Sequence, residues 1–233
     1  MTPRTSAQGR STAAETATTS VEDYAKTIYG ISEWDHGKVT ASALARTLGV
    51  SNPSVTLMVR KMAELGLVVH KPYAPIQLTL EGRQLALAMV RRHRLIETWL
   101  VRELGYGWEE VHQEAERLEH AVSETFVDRL DKRLGFPRTD PHGDPIPGPD
   151  LETEYPETEL LCRMPEAASV RLEQVDDAVP AALQMLTETQ MPIGAEATVA
   201  EARDGDVLLL RERGGGVHLD HELAHAMRVS LVR

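Results

Sequence analysis

Apolar residues recur at helical spacing over most of the first 134 residues, and they alternate with polar residues after about residue 160. Val21, Tyr24, Ile28 and Ile31 predict a helix over 20–34, with Ser20 as a candidate N-cap, because residues three and four apart share one helix face. Short alternating runs bounded by glycine turns predict strands at 169–174, 196–202, 206–211 and 216–219, with a helix around 179–188. The pattern indicates a mainly α-helical chain with a C-terminal β domain, a small barrel of SH3 size.

Two short helices are predicted between Lys38 and Gly66. Thr40 or Ser42 can begin the first helix and Gly49 ends it, and Ser51 can cap the second. Two helices joined by a short turn that contains glycine are typical of a helix-turn-helix. Small polar residues at the start of the second helix suit base edges, and cations suit phosphates. The candidate DNA-binding residues are Ser51, Asn52, Pro53, Ser54, Leu57, Arg60, Lys61 and, in the segment that follows, Lys71.

Residues 67–80 predict two short strands around a turn at 72–75, with Lys71 and Tyr73 at the tip. A hairpin directly after a recognition helix is the wing of a winged helix-turn-helix. The alternative is a helical hairpin used for protein contacts. Residues 41–94 carry eight basic and two acidic side chains, and this local excess of positive charge favours DNA.

A long helix is predicted over 79–103 and a second over 108–134. On the second helix, His112, Glu116, Glu119 and His120 fall within a stripe about 100° wide. On the first, His93 and Glu97 form a pair one turn apart. Imidazole and carboxylate donors without sulfur form a set that suits hard and borderline divalent metal ions. The alternative is a solvated face with ion pairs between successive turns.

The remaining polar segments carry weaker signals. Residues 136–150 hold too many prolines and glycines for a helix or strand and are predicted to be an extended connection, in which His142 belongs to a turn rather than to a ligand cluster. His218, His221 and His225 are interpreted as surface histidines.

Charge is unevenly distributed along the chain. The formal net charge is −11, but residues 1–100 carry 12 basic and 8 acidic side chains. This asymmetry predicts a basic N-terminal module with an anionic partner. Cys162 is the only cysteine, so no internal disulfide framework is expected. The chain has no secretory signal and no apolar run of membrane-spanning length, so we expect a cytoplasmic protein without a membrane partner.

The order of a winged helix, a helical pair rich in His and Glu, and a small β domain resembles the diphtheria-toxin-repressor family of metal-dependent transcriptional regulators. The resemblance covers roughly residues 18–233. It is strongest in Asp23-Tyr24 with Ile28-Tyr29, in the run from Arg92 to Glu97, in the run from Val111 to His120, and in His142-Gly-Asp-Pro-Ile-Pro-Gly148. It implies a disordered tail at 1–18, a DNA-binding domain at 19–84, a helical dimerisation and metal-binding domain at 85–150, a linker at 151–165 and an SH3-like domain at 166–233.

The resemblance also implies two metal sites. By position, the regulatory site corresponds to Asp23, Glu116, Glu119 and His120, and the ancillary site to His93, Glu97 and His112, with Asp176 as the ligand from the β domain. The iron-sensing branch has methionine at the place of Asp23 and cysteine at the place of Glu116, whereas the manganese-sensing branch has carboxylates, as here. The chain departs from the two-domain manganese regulators at Lys26, where they have glutamate, and from the three-domain members at Val179.

The implied function is that of a manganese(II)-dependent repressor of metal uptake genes, of the three-domain actinobacterial type. Mn²⁺ is the expected corepressor, with Fe²⁺, Co²⁺, Zn²⁺ or Cd²⁺ as substitutes. The expected partner is a double-stranded palindromic operator, bound by a homodimer or by two dimers. The alternatives are an iron(II)-dependent repressor, a winged-helix regulator that senses a small organic ligand, and a metallohydrolase. The last would need an open coordination site in a cleft and a nucleophilic water, and it would leave the helix-turn-helix unexplained, so we do not expect an enzyme.

Overall fold

The computed structural model describes residues 18–35, 38–69, 71, 74–211 and 215–232. The chain divides into two units, Met1–Val90 and Arg91–Arg233. The predicted tail lies, apart from Thr18, outside the described residues, as does Tyr73 of the predicted wing tip. The finer domain boundaries at residues 84, 150 and 165 stay predictions.

The first unit contains the predicted helix-turn-helix. Its helices are α1 (Thr19–Asp35), α2 (Ala41–Thr47) and α3 (Asn52–Glu64). The side chain of Thr40 accepts a hydrogen bond from Ala43 N at the start of α2, and that of Ser51 accepts one from Ser54 N at the start of α3. Both caps were predicted. Gly49 supplies the positive φ of +65° that the turn between α2 and α3 requires.

The start of α1 differs from the prediction, and the two strands of the predicted wing are present. The carbonyl oxygen of Thr18 accepts from Val21 N and Glu22 N, so α1 begins one residue earlier and Ser20, predicted as its cap, lies inside the helix. The wing consists of β1 (Val68–Val69) and β2 (Gln77–Leu78), which pair antiparallel. The winged helix-turn-helix is therefore present.

Helices α4 (Leu80–Leu104), α5 (Val111–Leu118) and α6 (Glu124–Leu134) follow. The single helix predicted over 108–134 is wrong, because the chain breaks between α5 and α6. Ser123 adopts an extended conformation and its side chain accepts from Phe126 N, which starts a new helix. Glu119 keeps helical dihedrals, and its N–H donates to the Ala115 carbonyl. The predicted stripe of His112, Glu116 and Glu119 is therefore preserved, although the predicted helix does not continue to residue 134.

The C-terminal part is an antiparallel sheet of six strands in the order β3-β8-β4-β5-β6-β7. The strands are β3 (Glu159–Leu160), β4 (Ser169–Val175), β5 (Glu196–Arg203), β6 (Asp206–Leu210), β7 (Gly216–Leu219) and β8 (Met227–Leu231). Helices α7 (Pro180–Glu188) and α8 (His221–His225) lie between strands. The four predicted strands and α7 are confirmed to within one residue at each end, and the fold class of a mainly α chain with a small β domain is confirmed.

Each part of the second unit has its own apolar core. In the helical part, Leu95, Ile96 and Leu100 of α4 are buried with Val111 and Ala115 of α5. This contact fixes the two helices through their apolar faces, so that their polar faces meet beside it. Among the described helices, none combines the length and apolar character that crossing a bilayer requires.

Candidate metal centre

The centre begins with two side chains one turn apart on α4. His93 Nε2 lies 3.0 Å from Glu97 Oε1. The side chain of Glu97 is completely buried, and neither of its oxygens makes a well-directed hydrogen bond to a described residue. A buried carboxylate without donors is costly, so this position calls for a positively charged partner.

Helix α5 and the turn that follows it bring three further side chains to the same region. Glu119 is completely buried, and its Oε2 lies 2.5 Å from His93 Nδ1. Glu116 Oε1 lies 3.6 Å from His112 Nε2 and 4.0 Å from His93 Nδ1. His120 Nε2 lies 3.5 Å from Glu119 Oε1. We call Glu116, Glu119 and His120 the first cluster.

The β domain contributes Asp177, which follows β4. Its Oδ2 lies 2.7 Å from His112 Nδ1. Asp176, predicted as the ligand from this domain, instead turns its Oδ1 to the backbone N–H of Ala178. Asp177, the neighbour of the predicted residue, is therefore the one whose carboxylate lies beside His112. Consecutive side chains at the end of a strand point in different directions, and no pattern in the sequence distinguishes the two.

His142 was predicted to belong to a turn, and it does lie in one, but it also faces the centre. It is fully buried, and its Nδ1 lies 3.8 Å from Glu97 Oε2 and 3.9 Å from Asp177 Oδ2. Its Nε2 lies 2.7 Å from the carbonyl oxygen of Trp108, which can only accept. Nε2 therefore carries a proton, and Nδ1 has no hydrogen-bond partner among the described residues. We call His93, Glu97, His112, His142 and Asp177 the second cluster.

A buried arginine on α4 holds the loop that carries His142. Arg94 donates to the Pro145 carbonyl at 2.7 Å and to Asp144 Oδ2 at 3.3 Å. Asp140 Oδ1 accepts from the N–H groups of His142 and Asp144, at 2.8 and 2.9 Å. The proline-rich connection is thereby pinned to α4, so His142 reaches the centre from a fixed backbone.

The protonation of the second cluster follows from its charges. Burial opposes ionisation of Glu97, but the nearby imidazoles of His93, His112 and His142 together outweigh it and hold the pKa of Glu97 well below its usual range. Burial would lower the pKa of His112, but its hydrogen bond with Asp177 and the nearby carboxylate of Glu97, 3.5 Å away, raise that pKa to about 11. Burial raises the pKa of Asp177, but the hydrogen bond with His112 and the neighbouring imidazoles of His112 and His142 together hold that pKa below its usual value. Protonated imidazoles thus compensate the negative charge of the ionised carboxylates. A bound metal cation would provide the same compensation.

The structure brings together most of the predicted ligands. Within the second unit, three groups of described residues each have donor atoms that lie within 4.8 Å of one another. The groups are His93, Glu97, His112 and Asp177; His93, Glu116 and Glu119; and Glu97, Asp140 and His142. Oxygen and imidazole nitrogen donors, with orphaned atoms on Glu97 and His142, fit a divalent metal ion. Asp23 lies on α1 in the first unit and is partly buried.

The predicted DNA-binding residues share one property. All of them are exposed: Ser51, Asn52, Pro53, Ser54, Leu57, Arg60, Lys61 and Lys71. The opposite face of α3 is buried through Val55, Val59 and Met62. The helix therefore leaves a polar and basic face open for a partner.

Family models match both functional regions. Residues 16–75 match the model described as "Iron dependent repressor, N-terminal DNA binding domain". Residues 79–148 match "Iron dependent repressor, metal binding and dimerisation domain". The second match contains every described cluster residue except Asp177.

Individual relatives match over nearly their whole length. The iron-dependent repressor IdeR of Mycobacterium leprae is 35% identical over 224 residues, 91% of this chain and 96% of the relative. The diphtheria toxin repressor of Corynebacterium diphtheriae is 33% identical over 89% of this chain and 95% of the relative. A solved manganese-dependent transcriptional repressor in complex with manganese is 40% identical, with a TM-score of 0.85 over 91% of this chain and 100% of that chain.

These matches confirm the predicted resemblance, and they exclude the metallohydrolase alternative because the family consists of repressors. A DNA-binding domain accounts for the exposed face of α3, and a metal-binding domain accounts for the centre of carboxylates and imidazoles. The chain therefore belongs to the iron-dependent repressor family, which includes the diphtheria toxin repressor, and is a metal-dependent transcriptional repressor that binds DNA and dimerises through its metal-binding domain.

Proposed function

We propose that this repressor responds to manganese(II) and controls genes for metal uptake, with the ion as corepressor. The observation that carries the proposal is the donor set of the first cluster, which offers two carboxylates and one imidazole and no sulfur. Hard oxygen donors suit Mn²⁺, whereas sulfur donors would favour softer ions. The 40% identity to a solved manganese-dependent repressor supports this choice.

The ligands are assigned as two sets. The first cluster, together with Asp23 of α1, is proposed as the regulatory site. The second cluster is proposed as the ancillary site, with Asp177 in place of Asp176. When bound, a divalent ion supplies the positive charge that these carboxylates lack. The buried oxygens of Glu97 and the unpartnered Nδ1 of His142 support the second assignment.

The regulation follows from where the proposed ligands lie in the chain. Asp23 belongs to the DNA-binding domain, and the first cluster belongs to the metal-binding and dimerisation domain. Holding Asp23 to the first cluster would fix the DNA-binding domain relative to the dimer. In a homodimer, this sets the two recognition helices about 34 Å apart, one turn of DNA, as a palindromic operator requires. Metal and operator then strengthen each other's binding by the same factor.

The test is operator binding across a series of metals at buffered free-ion concentrations. The operator is first selected from random duplexes with the protein and MnCl₂, and the stoichiometry of the complex gives one or two dimers. We expect activation by Mn²⁺ at concentrations where Fe²⁺ is ineffective. Activation by Fe²⁺ in preference to Mn²⁺ would instead favour the iron-dependent repressor that the curated relatives suggest.

Two variants test the ligand assignment. Asp23→Ala and Glu116→Ala should leave the dimer intact in sedimentation and remove metal-dependent operator binding. Glu114→Ala is a matched control, since Glu114 lies on α5 and pairs with Arg117 outside both clusters. Metal-stimulated binding by both ligand variants would contradict the assignment. Operator binding that ignores metal altogether would favour a regulator of another kind, such as a sensor of an organic ligand.

A further inference from the structure

Leu57 is exposed on α3, in the face proposed to bind DNA. It leaves 70% of its surface exposed, more than any other large apolar residue in the described part of the chain. The buried stripe of α3 consists of Val55, Val59 and Met62. At 100° per residue, Leu57 lies about 140–160° around the helix from each of them. It therefore contributes nothing to the core of its own domain.

The surroundings of Leu57 are those of a nucleic-acid face. Ser54 lies one turn before it, and Arg60 and Lys61 lie one turn after it, all exposed. Glu64, which pairs with Arg60 at 3.4 Å, is at the C-terminal end of α3. The N-terminal turns of a recognition helix are the ones that enter the major groove. A single leucine among polar and basic residues is suited to one apolar contact with a partner that is otherwise polar and anionic.

The major groove of DNA offers one apolar group, the C5-methyl of thymine. The side chain of leucine has no hydrogen-bond donor or acceptor, so it reads no other feature of a base edge directly. We propose that Leu57 is a specificity-determining residue that recognises a thymine methyl group in each half of the operator. The proposal deepens the DNA-binding role proposed for α3 and rests on it.

Replacing thymine by deoxyuridine removes this methyl group and changes nothing else on the base. The selected operator is therefore made with one thymine at a time replaced in each half-site, and dissociation constants are measured with the activating metal. For the wild-type protein we expect one position at which deoxyuridine weakens binding about fourfold per half-site, the value for one buried methyl. For Leu57→Ala, thymine and deoxyuridine should bind equally at that position.

Leu104→Ala is the matched control, because Leu104 is also an exposed leucine, at 53%, but lies in the second unit. It should keep the wild-type difference between thymine and deoxyuridine. Wild-type binding that is indifferent to deoxyuridine at every position would overturn the proposal, as would an undiminished difference in Leu57→Ala. In both cases metal-activated DNA binding persists, so the proposed function stands. Absence of metal-activated binding by the wild-type protein would overturn both.

Discussion

Asp177 Oδ2 lies 2.7 Å from His112 Nδ1, and this contact joins the loop after β4 to helix α5. The same carboxylate lies 3.9 Å from His142 Nδ1. The β domain thus supplies a side chain to the second cluster, which otherwise comes from α4, α5 and the proline-rich loop. If this cluster binds an ion, its occupancy depends on the β domain.

Asp177→Asn should therefore impair binding at the second cluster, and Asp176→Asn should not. We expect the affinity for the second ion to fall by at least the 10–100-fold that loss of an outer-shell partner costs. The ring of Trp108 stacks on His142, with centroids 6.1 Å apart, so tryptophan fluorescence during a Mn²⁺ titration is a suitable measurement. Equal losses in the two variants would contradict the assignment of Asp177.

In the metal-free protein, ionisation of Asp176 should lower the free energy of unfolding as pH rises. Burial and the charge of Asp177 raise the pKa of Asp176 from 3.8 to about 6. The folded state therefore binds this proton more tightly than the unfolded state, and the stability contributed by the protonated form is lost as pH rises from about 4 to 6. Asp176→Asn keeps the acceptor for Ala178 N and removes the charge.

Thermal unfolding in chelator tests this prediction. At pH 7.5 the Asp176→Asn variant should be more stable than the wild type, by on the order of 1–3 kcal/mol. The difference should shrink as pH falls through 6 and vanish near pH 4. A gain of the same size at both ends of this range would mean that the charge of Asp176 is not its source.

Much of the fold is visible in the sequence because it rests on local signals. Ser51 and Pro53 mark the start of α3 through capping and a fixed φ, and both work within one turn of helix. Strand β8 was not predicted, although apolar and polar residues alternate over 227–231. The break at Ser123 was missed because the apolar spacing of α5 continues into α6.

The site was harder to predict than the fold, for a geometrical reason. His93 and Glu97 share one face of α4, and His112 and Glu116 share one face of α5, so spacing along each helix is enough to bring each pair together. His142 and Asp177 reach them from loops separated in sequence, and only tertiary packing decides which loop residue points inward. The family resemblance pointed to Asp176 of the β domain, and in the structure the next residue, Asp177, is the one beside His112.

The arginine that fixes the His142 loop should be important for stability. The side chains of Arg94 and Asp140 are almost fully buried, and Arg94 Nε lies 3.8 Å from Asp140 Oδ2. Arg94→Ala leaves the Pro145 carbonyl without this donor and removes the buried cation next to Asp140 and Asp144, which should cost about 3–5 kcal/mol. Urea unfolding of the metal-free protein measures this loss.

Arg138→Ala is the matched control for Arg94→Ala. Arg138 belongs to the same loop and pairs with Glu154 at 3.1 Å, but both side chains are more than 80% exposed. Exposed pairs contribute little because water screens them, so we expect no measurable change in the urea midpoint. Similar midpoints for the two variants would show that Arg94 does not hold the loop.

The contact of Arg60 with DNA should appear in the salt dependence of binding. Its side chain is 78% exposed on α3, where a guanidinium suits a phosphate rather than a base edge. Neutralising one phosphate contact reduces the slope of log K against log salt by about 1. Arg60→Ala should therefore weaken binding to the operator and to unrelated DNA by similar factors. Arg117→Ala, which removes an exposed arginine from α5, should leave the slope unchanged. An Arg60→Ala variant that loses affinity for the operator alone would place Arg60 on a base edge instead.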